Sequence, residues 1–98
     1  VSNALDAIHA ETPITHLIQG GADGVDKFAE GWAAFKPGIV RYVCHAEWDK
    51  YGRMAGPIRN RRMLEWKPDL VVAFPGGAGT ANMVKQAEAA GVKIRFVT

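Results

Sequence analysis

The segment Phe74-Pro75-Gly76-Gly77-Ala78-Gly79-Thr80 places three glycines within four residues, directly after an apolar run and directly before a helical pattern. Glycines let backbone N–H groups approach a ligand with no Cβ in the way. Thr80 reads as an N-cap, and the helix N-terminus behind it favours anions. A tight turn alone would need one glycine, so the spacing favours a phosphate or ribose-phosphate cradle. It is neither a Walker A loop, since no Gly-Lys-Ser/Thr follows, nor a G-x-G-x-x-G fingerprint.

A second glycine turn, Gly20-Gly21-Ala22-Asp23-Gly24-Val25-Asp26, also joins a strand pattern to a helical one. It belongs to the same sheet edge as the first, where α/β ligands bind. Its aspartates oppose phosphate binding. Asp23 reads as the helix cap. Asp26 reads equally as a residue offsetting the helix dipole or as an acceptor for sugar hydroxyls or a base.

The third segment runs from His45 to Met63 and contains Trp48, Gly56, Pro57, Arg59 and Asn60. It is expected to begin as a loop, with Pro57 at the first helical position. Stepping about 100° per residue places Arg59, Asn60, Met63, Leu64 and Trp66 on one inward arc, with Arg61 and Arg62 on the solvated one. An inward arginine needs a partner. That partner is a carboxylate such as Asp49 or Asp69, or an anionic ligand gripped by the guanidinium fork. The ligand reading is favoured for Arg59, which is expected to lie buried beside the 76–80 turn. Trp48 could stack on a base. His9, His16 and His45 lack metal spacing and read as surface or packing residues.

These residues need a scaffold. Four short apolar runs, at about 14–19, 40–44, 70–74 and 94–97, have strand length and β-branched residues, and Leu70 to Phe74 is continuous, as in parallel strands buried on both faces. Between them, Val25, Phe28, Ala29, Trp32 and Ala33 follow a helix face, as do Met83, Val84, Ala87 and Ala90, with Gly91 as a stop. Leu5 to Ala10 reads as a further helix. Alternating strands and helices imply an α/β fold, a Rossmann-like three-layer sandwich with a mainly parallel sheet. The stretch opens on a helix where a doubly wound fold ordinarily opens on a strand. The expectation is therefore a single domain over 1–98 whose opening strand is missing from this stretch or supplied otherwise.

Composition narrows the function classes. With 98 residues, 48% hydrophobic and 22% charged, the chain has enough apolar surface for a small core and is not disordered as a whole. The net charge of +2 is too small to argue for nucleic acid by itself. No apolar run approaches the ~20 residues of a membrane helix. The single cysteine, Cys44, excludes an internal disulfide and fits a reducing, cytosolic home. No cofactor or metal site is expected. A short α/β sheet with a missing strand leaves an exposed edge, which predicts a homo-oligomer, most simply a dimer.

The three motifs together resemble the YspA-like branch of the SLOG superfamily. The similarity rests on 20–26, on Glu47-Trp48-Asp49 through Met63, and on Asp69 through Met83, and it spans nearly the whole chain. It implies a Rossmann-like domain related to the Lonely Guy phosphoribohydrolases and to the DNA-processing protein DprA. The implied function is binding of a nucleotide or nucleotide-derived ligand, as a sensor or regulatory domain. The implied ligand residues are Gly20, Gly21, Asp26, Trp48, Gly56, Arg59, Asn60, Pro75, Gly76, Gly77, Gly79 and Thr80. Two alternatives accompany this reading: hydrolysis of the N-glycosidic bond of a nucleoside monophosphate, and single-stranded nucleic-acid binding through the cluster between Arg53 and Arg62. The sequence departs from the family where Asp23 replaces an arginine and where the opening strand and its glycine turn are absent. It departs from the Lonely Guy motif where Met83 stands at the position of the catalytic glutamate. A thioether cannot serve as acid, base or charge stabiliser, so the enzymatic alternative is disfavoured.

Overall fold

The computed structural model describes residues 2–98. The elements run α1 (Ser2–Glu11), β1 (His16–Gln19), α2 (Val25–Ala34), β2 (Val40–Val43), α3 (Trp48–Tyr51), a 3₁₀ turn (Gly52–Met54), α4 (Ala55–Glu65), β3 (Val71–Ala73), α5 (Ala78–Ala90) and β4 (Ile94–Phe96). All four strands fall inside the expected windows. The chain divides into two compact units, 1–45 and 46–98.

Each unit is built on one βαβ motif. In the first, β1 pairs parallel with β2, from His16 opposite Val40 to Gln19 opposite Val43. In the second, β3 pairs parallel with β4, from Val71 opposite Ile94 to Ala73 opposite Phe96. Parallel strands require a crossover, and α2 and α5 supply it. The expected mixed α/β class and parallel pairing are present. The ladder bonds make two two-stranded sheets, however, rather than one four-stranded sheet.

The core of the first unit is α1 against α2. Leu5 and Ile8 are buried, one turn apart, against Ala29, Trp32 and Ala33. Burying each of those aliphatic side chains is worth roughly 1.5–3 kcal/mol. Trp32 Nε1 donates to Asp6 Oδ1 at 2.8 Å, and the His9 ring meets the Trp32 ring edge-on at 5.6 Å. His9 Nδ1 also accepts the Ile14 N–H at 2.8 Å, tying α1 to the start of β1. Of the helical stripe predicted for α2, Ala29, Trp32 and Ala33 are buried and Val25 is half-buried, but Phe28 is 67% exposed, and its neighbour two turns on, Phe35, is 88% exposed. β2 also departs from expectation. Val40 and Val43 are nearly half exposed and Arg41 interrupts the run, so this segment is not buried on both faces. Within this unit β2 has one ladder, to β1, and one packed helix, α2.

The second unit packs α4 against α5, with Ala55, Asn60, Ala73 and Ala87 buried. α5 stops as expected. Gly91 takes a left-handed conformation with φ 73°. Its N–H reaches the Glu88 carbonyl, and the Val92 N–H reaches Ala87, the paired bonds of a Schellman cap. Residues 48–54, expected as a loop, instead form α3 and the 3₁₀ turn. Pro57 is accordingly the third residue of α4 rather than the first. It still falls among the first four residues, whose N–H groups have no partner within the helix, so the ring removes no helical bond. Trp66 leaves the predicted inward arc because α4 ends at Glu65. The Trp66 N–H closes a tighter turn onto the Met63 carbonyl, and the side chain is 53% exposed.

Candidate functional site

The two strand-to-helix turns differ in how their backbone is used. In 20–26, the Gly21 N–H donates to Gln19 Oε1 at 2.6 Å and the Ala22 N–H to Asp26 Oδ2 at 3.2 Å. Gln19 is buried, and its Nε2 donates to Glu30 Oε1. Glu30 in turn binds Arg41 through its other oxygen. Gly20 is buried as well. Gly21 has φ 74°, and a Cβ there would fall 2.5 Å from His45 Nδ1. His45 is exposed and its ring lies over the glycine turn, within the surface-or-packing reading of the sequence. This turn is braced by side chains of its own unit.

Asp23 does not cap α2. The N-cap is Gly24, at φ 82° and without a side-chain cap bond. Asp23 sits one residue too early and pairs with Lys27 at 3.0 Å, with both side chains exposed. Asp26 occupies the first turn of α2 and folds back onto the loop through Ala22.

The 76–80 turn leaves the C-terminal end of β3 and enters α5. α5 begins three residues earlier than the sequence suggests. Gly77 is its N-cap, and Thr80 is its third residue rather than its cap. The Thr80 hydroxyl instead lies against Gly76, where a Cβ would overlap Oγ1 and come within 3.2 Å of the Thr80 Cβ. Packing therefore requires glycine at 76. At Gly77 and Gly79 it does not: neither has positive φ, and a Cβ at either would meet no described atom within 4 Å. Pro75, Gly76, Gly77 and Gly79 are all exposed.

Arg59 is half-buried rather than buried. Its Nε donates to Asn60 Oδ1 at 2.9 Å. The Asn60 amide nitrogen donates to the Gly79 carbonyl at 3.2 Å and to Asn82 Oδ1 at 3.1 Å. Arg59, Asn60 and Gly79, three residues singled out from the sequence, are thereby joined. Asn82 and Gln86 complete the cluster and were not singled out: Gln86 Nε2 donates to Asn82 Oδ1 and to the Pro57 carbonyl. Their only sequence signal is the i, i+4 spacing on α5. Trp48 is 60% exposed at the start of α3, with its ring edge 3.5 Å from where a Cβ at the buried Gly56 would sit.

Arg61 is exposed and pairs with Glu65 at 3.8 Å. Arg62, predicted to be solvated, is half-buried; it binds Glu47 at 3.0 Å and lies over the Tyr51 ring. The Glu47 carboxylate holds the Arg62 guanidinium more firmly charged than usual. These contacts tie α3 to α4. Among the described residues, no three His, Cys, Asp or Glu side chains are grouped to hold a metal ion. No helix among them is long and apolar enough to cross a membrane.

Residues 1–51 match the family described as YAcAr: YspA, cpYpsA-related SLOG family. The chain belongs to that family. It is also similar to the Gene 61 protein of Mycobacterium phage D29, with 30% identity over 97 residues, covering 91% of this chain and 76% of that protein. No solved structure matches. Membership in the SLOG family points to a nucleotide-related ligand. The 76–80 turn lies outside the stretch that matches the family and inside the second unit.

Proposed function

We propose that this SLOG protein binds a nucleotide or nucleotide-derived ligand through the 76–80 turn, as a cytosolic sensor or regulatory domain. One observation carries the reading: Gly79 is a helical glycine that neither backbone conformation nor packing requires, and at Gly77 a Cβ would meet no described atom within 4 Å. Gly79 is the second residue of α5, where glycine costs up to about 1 kcal/mol relative to alanine. A residue kept at a cost to the fold is explained by a ligand that must approach the backbone closely. The phosphate would meet the first N–H groups of α5. The Arg59 guanidinium would add charge, and Trp48 offers an exposed ring for a base. The braced turn at 20–26 fits a hydroxyl-bearing partner better than a phosphate, because Gly21 and Ala22 already spend their N–H groups on side chains. A homo-oligomer accompanies this reading, and light scattering of the purified protein tests it.

The site is tested by native mass spectrometry of the purified protein for a retained ligand. Calorimetric titration with a panel of nucleoside monophosphates follows. Binding is expected for the native chain and absent for Gly77→Val, which fills the cradle. Free base appearing among the products would convert the binding protein into a glycoside-cleaving enzyme. No binding by the native chain to any member of the panel would remove the reading.

A further inference from the structure

We infer that Asn60 is a positioning residue, whose buried amide sets the plane of the Arg59 guanidinium against the glycine turn that opens α5. The inference rests on the phosphate-binding reading above and adds to it the residue that joins its two halves. Asn60 is 2% exposed and is the largest fully buried side chain among the described residues. A buried amide is costly unless its donors and acceptors are matched. Here they are matched in one orientation only. Gln86 Nε2 donates to Asn82 Oδ1 at 2.7 Å and to the Pro57 carbonyl at 3.0 Å, so the Asn82 oxygen already faces a donor. Asn60 must then present its nitrogen to that oxygen, and the same nitrogen reaches the Gly79 carbonyl. Its oxygen is left turned toward Arg59 Nε.

Gln86 and Asn60 thus both donate to the Asn82 oxygen, and Asn60 in turn accepts from the guanidinium. The cluster is anchored at Pro57 on α4 and at Gly79 on α5. A leucine would fill the same volume without the desolvation cost. What the amide adds is orientation. Fixing Nε fixes the plane of the whole planar fork, the property that separates arginine from lysine in anion recognition.

The test is a double-mutant cycle read as affinity for adenosine monophosphate, with the Arg59 Nε–H followed by NMR and folding followed by urea denaturation. Asn60→Leu is expected to weaken binding about tenfold, the scale of one hydrogen bond to a charged group. The same change in an Arg59→Met background is expected to cost less than about twofold, because nothing remains to be positioned. The Nε–H signal should move to faster exchange in Asn60→Leu and persist in Asn60→Asp, which keeps the acceptor. Equal losses in both backgrounds would overturn the inference and leave Asn60 a plain core residue. If Asn60→Leu does not fold, Gln86→Met removes the far anchor, and its effect must again vanish without Arg59. A native chain that binds no nucleoside monophosphate while its Arg59 Nε–H stays protected would overturn the phosphate reading, and the positioning role with it.

Discussion

The Thr80 side chain closes over Gly76, so a Cβ at position 76 and the Thr80 hydroxyl cannot occupy their places together. The contact sits where β3 hands the chain to α5, and it sets the path of the turn. Gly76→Ala should force Thr80 off its rotamer at about 0.5–1.5 kcal/mol. In a Thr80→Ala background the overlap with Oγ1 is gone, and Gly76→Ala should cost distinctly less. Urea denaturation of the four proteins checks this. Additive losses would mean that glycine at 76 serves something other than room for Thr80.

The first glycine turn carries a stricter requirement. Gly21 combines φ 74° with a Cβ position 2.5 Å from His45 Nδ1. Gly21→Ala therefore meets a backbone cost of about 1–2 kcal/mol for the left-handed conformation, plus a clash with the ring. His45→Ala should relieve the clash and leave the backbone cost. Denaturation of Gly21→Ala with and without His45→Ala separates the two parts, and complete rescue would contradict the assignment.

Much of this architecture is legible in residue order. The apolar runs give the four strands because β-branched clusters between glycine turns have few other structures open to them, and Gly91 announces the end of α5. Burial is less legible. The pattern in α2 cannot distinguish Phe28 from Trp32, since both lie on the helical stripe; Trp32 goes inside because α1 brings Leu5, Ile8 and Asp6 to it. The short helix α3 is also hidden, because its four residues hold no apolar period and its neighbour Gly52 reads as a loop. In the site, Arg59 and the glycines stand out by type and spacing. Asn82 does not, because its partner Asn60 is 22 residues away and amide pairing leaves no periodic trace.

Acid should act on the first unit through Asp6. The Trp32 indole N–H holds the Asp6 carboxylate below its ordinary value of 3.8, helped by Lys36 and opposed by partial desolvation. A group with a lowered pKa in the folded state contributes stability above its unfolded value and loses it as pH falls through the folded value. The loss should therefore appear below about pH 4 and not near neutrality. Asp6→Asn should flatten that part of the acid limb in a series of urea melts. Trp32→Phe, which removes the donor, should raise the Asp6 pKa toward normal as read by carboxylate NMR. An Asp6 titration unchanged by Trp32→Phe would assign the shift elsewhere.

Gly79 sets stability against binding within one residue. It is the second residue of α5, exposed, with ordinary helical backbone and open space where a Cβ would stand. Alanine there has a higher helix propensity, so Gly79→Ala should stabilise the protein by up to about 1 kcal/mol. The Asn60 bond to the Gly79 carbonyl would survive, because it uses backbone that the substitution leaves in place. A methyl group would nevertheless stand at the mouth of the turn, beside the N–H groups proposed to meet the phosphate. Gly79→Ala should consequently melt higher and bind nucleoside monophosphates more weakly, a pairing that no generally damaging substitution produces. Calorimetric melting and titration of the same preparation measure both sides. A variant that gains stability with full affinity would show that the ligand does not approach at 79. A variant that loses stability would show that packing requires this glycine after all.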